Sequence, residues 1–196
     1  MQWDERYSEP GYAYGTDAND FLVEKAGSLP SGKVLSVAEG EGRNAVFLAK
    51  SGYDVTAVDA SSVGMLKAEQ LAHDQQVDIK TIVEDLNRYQ PGVEQWDAIV
   101  SIFCHLPEKQ RAVLHQKLVK SLKRGGMLLL EAYTPKQLEF GTGGPGSVEL
   151  LMTLDSLKRE FEGLEFEVAQ EIEREVNEGQ YHHGHAAVVQ VLARKL

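Results

Sequence analysis

Cysteine is almost absent from this sequence of 196 residues, which contains only Cys104. A single cysteine excludes an intrachain disulfide framework and favours a reducing compartment, so we expect a cytoplasmic protein. Positive charge is also scarce, because 20 Lys and Arg against 30 Asp and Glu give a formal net charge of -10. Non-specific binding to nucleic acid needs clustered cationic side chains, and we therefore expect no nucleic-acid partner.

Long apolar runs are missing as well, and runs such as Met127–Leu130 span only a few residues. A helix that crosses a bilayer needs about 20 apolar residues, so we expect no membrane partner. The opening MQWDERYSEP has neither a basic start nor an apolar stretch, and we expect no signal peptide. Hydrophobic residues nevertheless make up 42% of the chain, which is enough for a folded core. The length predicts one domain over residues 1–196.

Strand and helix patterns alternate through the middle of the chain. Short apolar or β-branched runs predict strands at 33–38, 54–59, 78–83, 96–103 and 127–132. Periodic segments between them predict helices at 44–51, from Ser61 or Ser62 to about Asp74, and from Pro107 to a stop at Gly125. Repeated β-α units of this kind predict a mostly parallel sheet with helices on both faces.

The end of the chain has a different pattern. A helical segment at 155–162 precedes EFEVAQEIEREV, in which apolar residues occupy most even positions and glutamates occupy most odd ones. This period of two predicts a strand with one solvated face rather than a metal site. A turn at Asn177–Gln180 then leads to a last strand near 186–193, which predicts an antiparallel hairpin added to the sheet.

Two segments lie outside this alternation. Residues 1–30, which contain several tyrosines, are expected to form an N-terminal arm or cap over the core at 31–132. Residues 133–153 contain GTGGPG and lack periodicity, and a loop of that length is often a lid. The remaining residues, 154–196, hold the last helix and the hairpin.

The stretch VLSVAEGEGRNA predicts a strand, a glycine turn and a helix, the usual construction of a nucleotide-binding loop. Gly40 and Gly42 have the spacing of the dinucleotide pattern, and Asp59 follows the next strand. A carboxylate at that place accepts hydrogen bonds from both hydroxyls of a ribose. These residues together predict that the chain binds an adenosine-containing ligand.

Two glutamates, Glu39 and Glu41, lie within this loop. The pyrophosphate of NAD would be repelled by carboxylates in a sheltered cleft. S-adenosylmethionine (SAM) instead carries a sulfonium and an ammonium group, which carboxylates attract. The charge therefore favours SAM, with NAD kept as the second candidate. The alternative is that either glutamate only points to solvent.

Five segments in order resemble the motif series of class I SAM-dependent methyltransferases, over residues 33–132. They read VLSVAEGEGRNAVFLA, VTAVDAS, VEDL, WDAIVS and LKRGGMLLLE. The GRN of the loop, the N-terminal WDERY and the YTPKQLEFGTGGPG segment resemble the tellurite-resistance and thiopurine methyltransferase branch. The resemblance implies a Rossmann-like α/β fold with a mostly parallel seven-stranded sheet. It also implies methyl transfer from SAM, with S-adenosylhomocysteine (SAH) as product, to a small molecule such as a thiol or a tellurium or selenium oxyanion.

The resemblance also implies roles for the residues that match the motifs. Those on the cofactor side would be Gly40 and Gly42 beneath the methionine and ribose, Asp59 at the ribose, Asp85 and Leu86 at the adenine, and Phe103 near the donor methyl. The sequence departs from the family where Ser36 replaces a common acid and where Ala38 and Glu39 replace Gly-Cys or Gly-Ala. Our hypothesis is that Glu39 takes over from the missing acid at Ser36.

Candidates for catalysis and for acceptor binding follow the same strand ends. Arg43 would steer an anionic acceptor, or alternatively bond a nearby acid at the start of its helix. His105 would deprotonate an acceptor, or alternatively hydrogen-bond to backbone. Tyr7, Tyr14 and Tyr133 are candidates for contact with the acceptor, the alternative being ordinary packing.

Three histidines occur in Tyr181–His185, which suggests a metal site at first sight. Adjacent strand positions point to opposite faces of a sheet, and no cysteine lies nearby, so we predict no metal site. Two further readings of the function stay open: an NAD-dependent oxidoreductase, and a non-catalytic SAM-binding module that regulates a partner. The sequence gives no prediction of the oligomeric state.

Overall fold

A seven-stranded mixed sheet forms the centre of the computed structural model, which describes residues 2–196. Met1, the first residue of the predicted arm, lies outside the described residues. The strands are β1 Lys33–Val37, β2 Asp54–Asp59, β3 Lys80–Val83, β4 Trp96–Ile102, β5 Leu122–Tyr133, β6 Leu164–Glu178 and β7 His182–Lys195. Their order across the sheet is β3-β2-β1-β4-β5-β7-β6. The first five pair in parallel, and β7 runs antiparallel to both β5 and β6. The predicted fold class is therefore confirmed.

Helices cover both faces of this sheet. They are α1 Gln2–Tyr7, α2 Asp20–Lys25, α3 Arg43–Lys50, α4 Ser62–Asp74, α5 Glu108–Ser121 and α6 Leu154–Glu160, with 3₁₀ turns at Ala26–Ser28, Pro135–Glu139 and Val148–Leu150. One apolar layer packs α2, α3 and α4 on one face, and another packs α5 and α6 on the other. Each fully buried leucine in these layers contributes about 1.5–3 kcal/mol relative to exposure. Among the described residues, no helix is both long enough and apolar enough to cross a membrane.

Helix α5 ends four residues earlier than the sequence predicted. Its last carbonyls, on Lys120 and Ser121, accept hydrogen bonds from the N–H groups of Glu94 and Gln95. Leu122 is fully buried and lies opposite Trp96, so the chain has already joined the sheet there. The predicted stop at Gly125 is therefore wrong, because tertiary pairing overrides the local helix pattern.

The C-terminal hairpin matches its predicted pattern. The glutamates at the odd positions of β6 are exposed, namely Glu165, Glu167, Glu171, Glu173 and Glu175. One residue that was expected in the turn behaves differently. Glu178 is the last residue of β6, opposite His182, and only 5% of its surface is exposed. Its burial brings a carboxylate from the hairpin towards the centre of the molecule.

Candidate active site

A cavity of about 640 Å³ opens at the carboxyl ends of the parallel strands. Its floor includes Ala38 after β1, Asp59 at the end of β2, Asp85 after β3 and Phe103 after β4. Its roof is formed by α1 and by residues 143–147. Ligands of open α/β sheets bind in this crevice, and the volume lies within the roughly 300–1,000 Å³ of small-molecule sites.

The loop between β1 and α3 has three left-handed residues, Ala38 (φ 52°), Gly40 (φ 65°) and Gly42 (φ 95°). A Cβ atom on Gly42 would lie 2.7 Å from the Cα of Ala68, so only glycine lets α4 pack this closely. Ala38 has the same backbone without being glycine, and this costs about 1 kcal/mol of strain. The family's glycine is absent from this position, but its conformation is kept.

Glu39 points inward rather than to solvent. Its carboxylate accepts hydrogen bonds from the N–H groups of Asn44 (3.0 Å) and Ala45 (2.8 Å) at the start of α3, and from the hydroxyl of Ser36. The side chain borders the cavity and the residue is 6% exposed. Burial raises its pKa, against the effect of these donors. The carboxylate thus lies beside Ser36, where the family commonly has an acid.

Glu41 has a different role from its neighbour. One carboxylate oxygen accepts from the N–H of Ala13 at 2.7 Å, and the other pairs with the ammonium of Lys67 at 2.9 Å. The side chain is buried, so it is not a solvated loop residue. It fastens the N-terminal arm to the glycine loop.

Two further acids lie at the end of β2 and just after β3. Asp59 is buried and accepts from the N–H groups of Gly40 (2.9 Å) and Ser61 (2.8 Å), while burial raises its pKa. Asp85 is half-buried and accepts from the N–H of Asn87 at 2.9 Å. Both acids border the cavity, and the buried Leu86 lies beside Asp85 there.

The end of β4 carries a second strained residue, Phe103, with φ 51°. Its ring stacks on Tyr133 with centroids 4.5 Å apart and meets the edge of His182 at 4.9 Å. His105 hydrogen-bonds through Nδ1 to the carbonyl of Leu150 at 2.8 Å, and its Nε2 is 3.4 Å from the N–H of Tyr133. Burial lowers the pKa of His105 to about 4, so the ring is neutral. Both ring nitrogens face backbone, as the alternative reading of His105 expected.

Arg43 belongs to a buried network of charges. Its guanidinium is 2.5 Å from a carboxylate oxygen of Glu178 and donates to the carbonyl of Asp17 at 3.2 Å. Burial opposes ionisation of Glu178, but the nearby His182 and Arg43 lower its pKa to about 2. Arg43 borders the cavity, yet its charge is balanced by a carboxylate.

The network continues behind the cavity through Glu131, which is fully buried in β5. Asn19 donates to Glu131 and to Glu178, each at 2.8 Å, and Arg174 pairs with Glu131. The acid within the apolar run MLLLEAY is the sequence signal that indicates this buried polar network. The network joins the N-terminal arm, the sheet and the hairpin.

The three candidate tyrosines occupy different places. Tyr7 is buried against Gly40 and borders the cavity, and burial raises its pKa. Tyr14 borders the cavity and accepts a hydrogen bond from Arg6. Tyr133 is fully buried, stacks on Phe103 and does not border the cavity, and Gly144 lies against its ring. Tyr133, unlike Phe103, is therefore not part of the cavity lining.

The cavity lining also includes residues that were not among our site candidates, among them the cationic Arg6 and the polar aromatic residues Tyr181 and His182. Arg6 lies within the WDERY segment, where only the resemblance drew attention to it. His182 turns into the cavity, whereas His185 pairs outside it with Glu173 and Glu175, so the histidines diverge as alternating strand positions do.

The donor set of the cavity fits an adenosyl amino acid. A buried carboxylate at Glu39 suits an ammonium group, and Asp59 suits a ribose diol. Asp85 and the backbone at Leu86 suit an adenine edge. A pyrophosphate would meet carboxylates where it requires N–H donors, and two of those N–H groups are already taken by Glu39.

Comparison with known proteins agrees with this geometry. Residues 34–126 match the methyltransferase domain family. A glycine/sarcosine N-methyltransferase of Aphanothece halophytica is 26% identical over 66% of this chain and 50% of its own length. TehB from Haemophilus influenzae superposes with a TM-score of 0.76 at 23% identity, over 91% of this chain and 63% of that one. A structure from work on the conversion of a disulfide bond into a thioacetal group during echinomycin biosynthesis superposes with a TM-score of 0.78 at 18% sequence identity. That superposition covers 96% of this chain and 85% of the other one.

The matches cover different parts of this chain and of its relatives. The chain spans about half the length of the curated relatives that it matches. The matched family is one of methyltransferases, so an NAD-dependent oxidoreductase is not favoured. The family match covers the strands and loops that form the floor of the cavity, and the superpositions cover most of the chain. Residues 34–126 thus match a methyltransferase domain, and the superposed structures share the fold of the chain.

Proposed function

We propose that this protein transfers a methyl group from SAM to a small-molecule acceptor. The observation that carries the proposal is the row of acids Glu39, Asp59 and Asp85 along one cavity at the carboxyl ends of the strands. An anionic floor of this kind suits the ammonium, ribose and adenine of SAM and disfavours phosphate ligands. The single cysteine remains our reason to expect a cytoplasmic protein.

We assign the cofactor contacts by the chemistry of each side chain. Glu39 would hold the ammonium, Asp59 the ribose hydroxyls, and Asp85 with Leu86 the adenine. Gly40 and Gly42 let the backbone pass close to the ligand, and Ala38 keeps the same backbone turn. Phe103 lines the cavity between the residues that we assign to the cofactor and the space that we assign to the acceptor.

When bound, SAM supplies an electrophilic methyl group whose sulfonium leaves as a neutral thioether. The protein then has to align the acceptor and to exclude water. His105 is neutral and engaged with backbone, so we propose that it positions the loop at Leu150 and does not act as a base. Arg43 is balanced by Glu178, and we propose that it fixes the hairpin against α3. An acceptor that is already anionic, such as a thiolate or a tellurium or selenium oxyanion, needs no base.

The test is incubation with methyl-labelled SAM and a panel of thiols, selenite, tellurite, glycine and sarcosine. We expect label transfer to at least one acceptor, and loss of transfer in the Asp59→Asn variant, which removes the ribose carboxylate. Glu69→Gln, on the exposed face of α4, is the matched control for the loss of one negative charge. SAM binding without transfer to any acceptor would support the non-catalytic module instead.

A further inference from the structure

The cavity has two cationic side chains with opposite surroundings. Arg43 is paired with Glu178 at 2.5 Å, which balances its charge. Arg6, on α1 in the roof, has no carboxylate within ion-pair distance among the side chains that the structure describes. Glu9, three residues further along the chain, instead accepts a hydrogen bond from the hydroxyl of Tyr181 at 3.0 Å. Among the residues that the structure describes, Arg6 is therefore a cavity cation without a carboxylate partner.

Aromatic rings hold the guanidinium of Arg6 in a fixed position. It lies 5.2 Å from the ring centre of Trp3 and 4.5 Å from that of Tyr181, both within the range of cation–π contact. One N–H group donates to the hydroxyl of Tyr14 at 2.8 Å. A guanidinium has five N–H donors, so most of this fork is left for a ligand.

The same rings connect Arg6 with the end of β4. Tyr14 packs on His182 with ring centres 4.5 Å apart, and His182 meets Phe103 at 4.9 Å. All these rings border the same cavity as the acids that we assign to the cofactor. A ligand on this wall would have its charged end at Arg6 and its reactive end at Phe103.

We propose that Arg6 is a specificity-determining residue that binds an anionic group of the methyl acceptor, such as a carboxylate or sulfonate, while the aromatic wall holds the acceptor's planar or apolar part. The inference rests on the proposed function, because it assigns to the acceptor the part of the cavity that SAM would not occupy. A fixed arginine fork forms paired hydrogen bonds with a carboxylate, and each charge-assisted bond stabilises the complex more than a neutral one.

Calorimetry with the SAH-loaded protein tests this assignment without turnover. The probes are 4-mercaptobenzoate and 4-mercaptobenzamide, which share a ring and a thiol and differ in the charge opposite the thiol. We expect the carboxylate to bind at least about tenfold more tightly. Arg6→Gln should remove this preference, and Arg6→Lys should keep part of it. Arg124→Gln, an exposed arginine at the amino end of β5, is the matched control and should leave it unchanged.

The outcomes separate this inference from the proposed function. Binding of SAH to each variant shows that it is folded and that the cofactor side is intact. If SAH binds but the two probes bind equally, or neither binds, or Arg6→Gln keeps the preference, the role of Arg6 is refuted while the cofactor assignment stands. If SAH itself does not bind the unmodified protein, the proposed function fails.

Discussion

Replacing Glu39 with glutamine is the perturbation that bears most directly on the acidic loop. The carboxylate is buried beside Ser36 and accepts from two N–H groups at the start of α3. Glutamine keeps one acceptor oxygen for those N–H groups and can donate to Ser36, so the fold should survive. What it loses is the charge that we assign to the ammonium of SAM. A hydrogen bond to a charged group contributes about 1.5–3 kcal/mol, which predicts roughly 10- to 150-fold weaker binding of SAH.

Isothermal titration of SAH into the two proteins measures this difference. Glu69→Gln removes the same charge from an exposed position and should leave the dissociation constant unchanged. Burial raises the pKa of Glu39, so in the free protein the carboxyl takes up a proton at a higher pH than usual. A bound ammonium favours the ionised form. The affinity of the unmodified protein for SAH should therefore fall as the pH is lowered through this raised pKa. The affinity of Glu39→Gln for SAH should not change over the same pH range. Equal affinities at neutral pH would refute the reasoning.

Three further changes test parts of the fold around the site. Ala38→Gly should raise the free energy of unfolding by about 1 kcal/mol, because it relieves a left-handed alanine; Ala112→Gly, within α5, should lower it by about 1 kcal/mol in the same denaturant titration. Tyr133→Phe should be neutral or stabilising, since its buried hydroxyl has no hydrogen-bond partner among the described residues; a clear loss of stability would contradict this. Glu160→Gln should cost about 3 kcal/mol at neutral pH by leaving Arg111 buried without its carboxylate partner. The partners of Glu160 lower its pKa despite burial. Its contribution to the free energy of unfolding is therefore present above the usual carboxyl pKa and is lost as the pH falls through the lowered pKa. The free energy of unfolding of the variant should accordingly change less with pH in acid than that of the unmodified protein.

The fold could be predicted from the sequence because its signals are local. Alternating β-branched runs and helical periods define the parallel strands, and the period of two in EFEVAQEIEREV defines the edge of the hairpin. The error at the end of α5 arose where the evidence is not local. Leu122 continues the helical pattern, but its pairing with Trp96 on another strand decides its conformation.

The site was only partly predictable for the same reason. The cofactor candidates lie at strand ends, and strand ends can be read from the sequence. The partner of Arg43 is Glu178, 135 residues away, and the partner of Glu41 is the N–H of Ala13 in the arm. Nothing in a turn-like NEGQ segment indicates that its glutamate is buried. Pairing between residues distant in sequence decides whether a charged side chain is free to bind a ligand or is neutralised within the fold. Arg43 is neutralised by Glu178, whereas we propose that Arg6 binds a ligand.

A crystal structure of the SAH complex tests the central claim most directly, because it locates the amino-acid end of the ligand. The account predicts the ammonium within hydrogen-bond distance of the Glu39 carboxylate, with the ribose hydroxyls at Asp59. An ammonium held elsewhere, with Glu39 still bonded only to Ser36 and the start of α3, would contradict it.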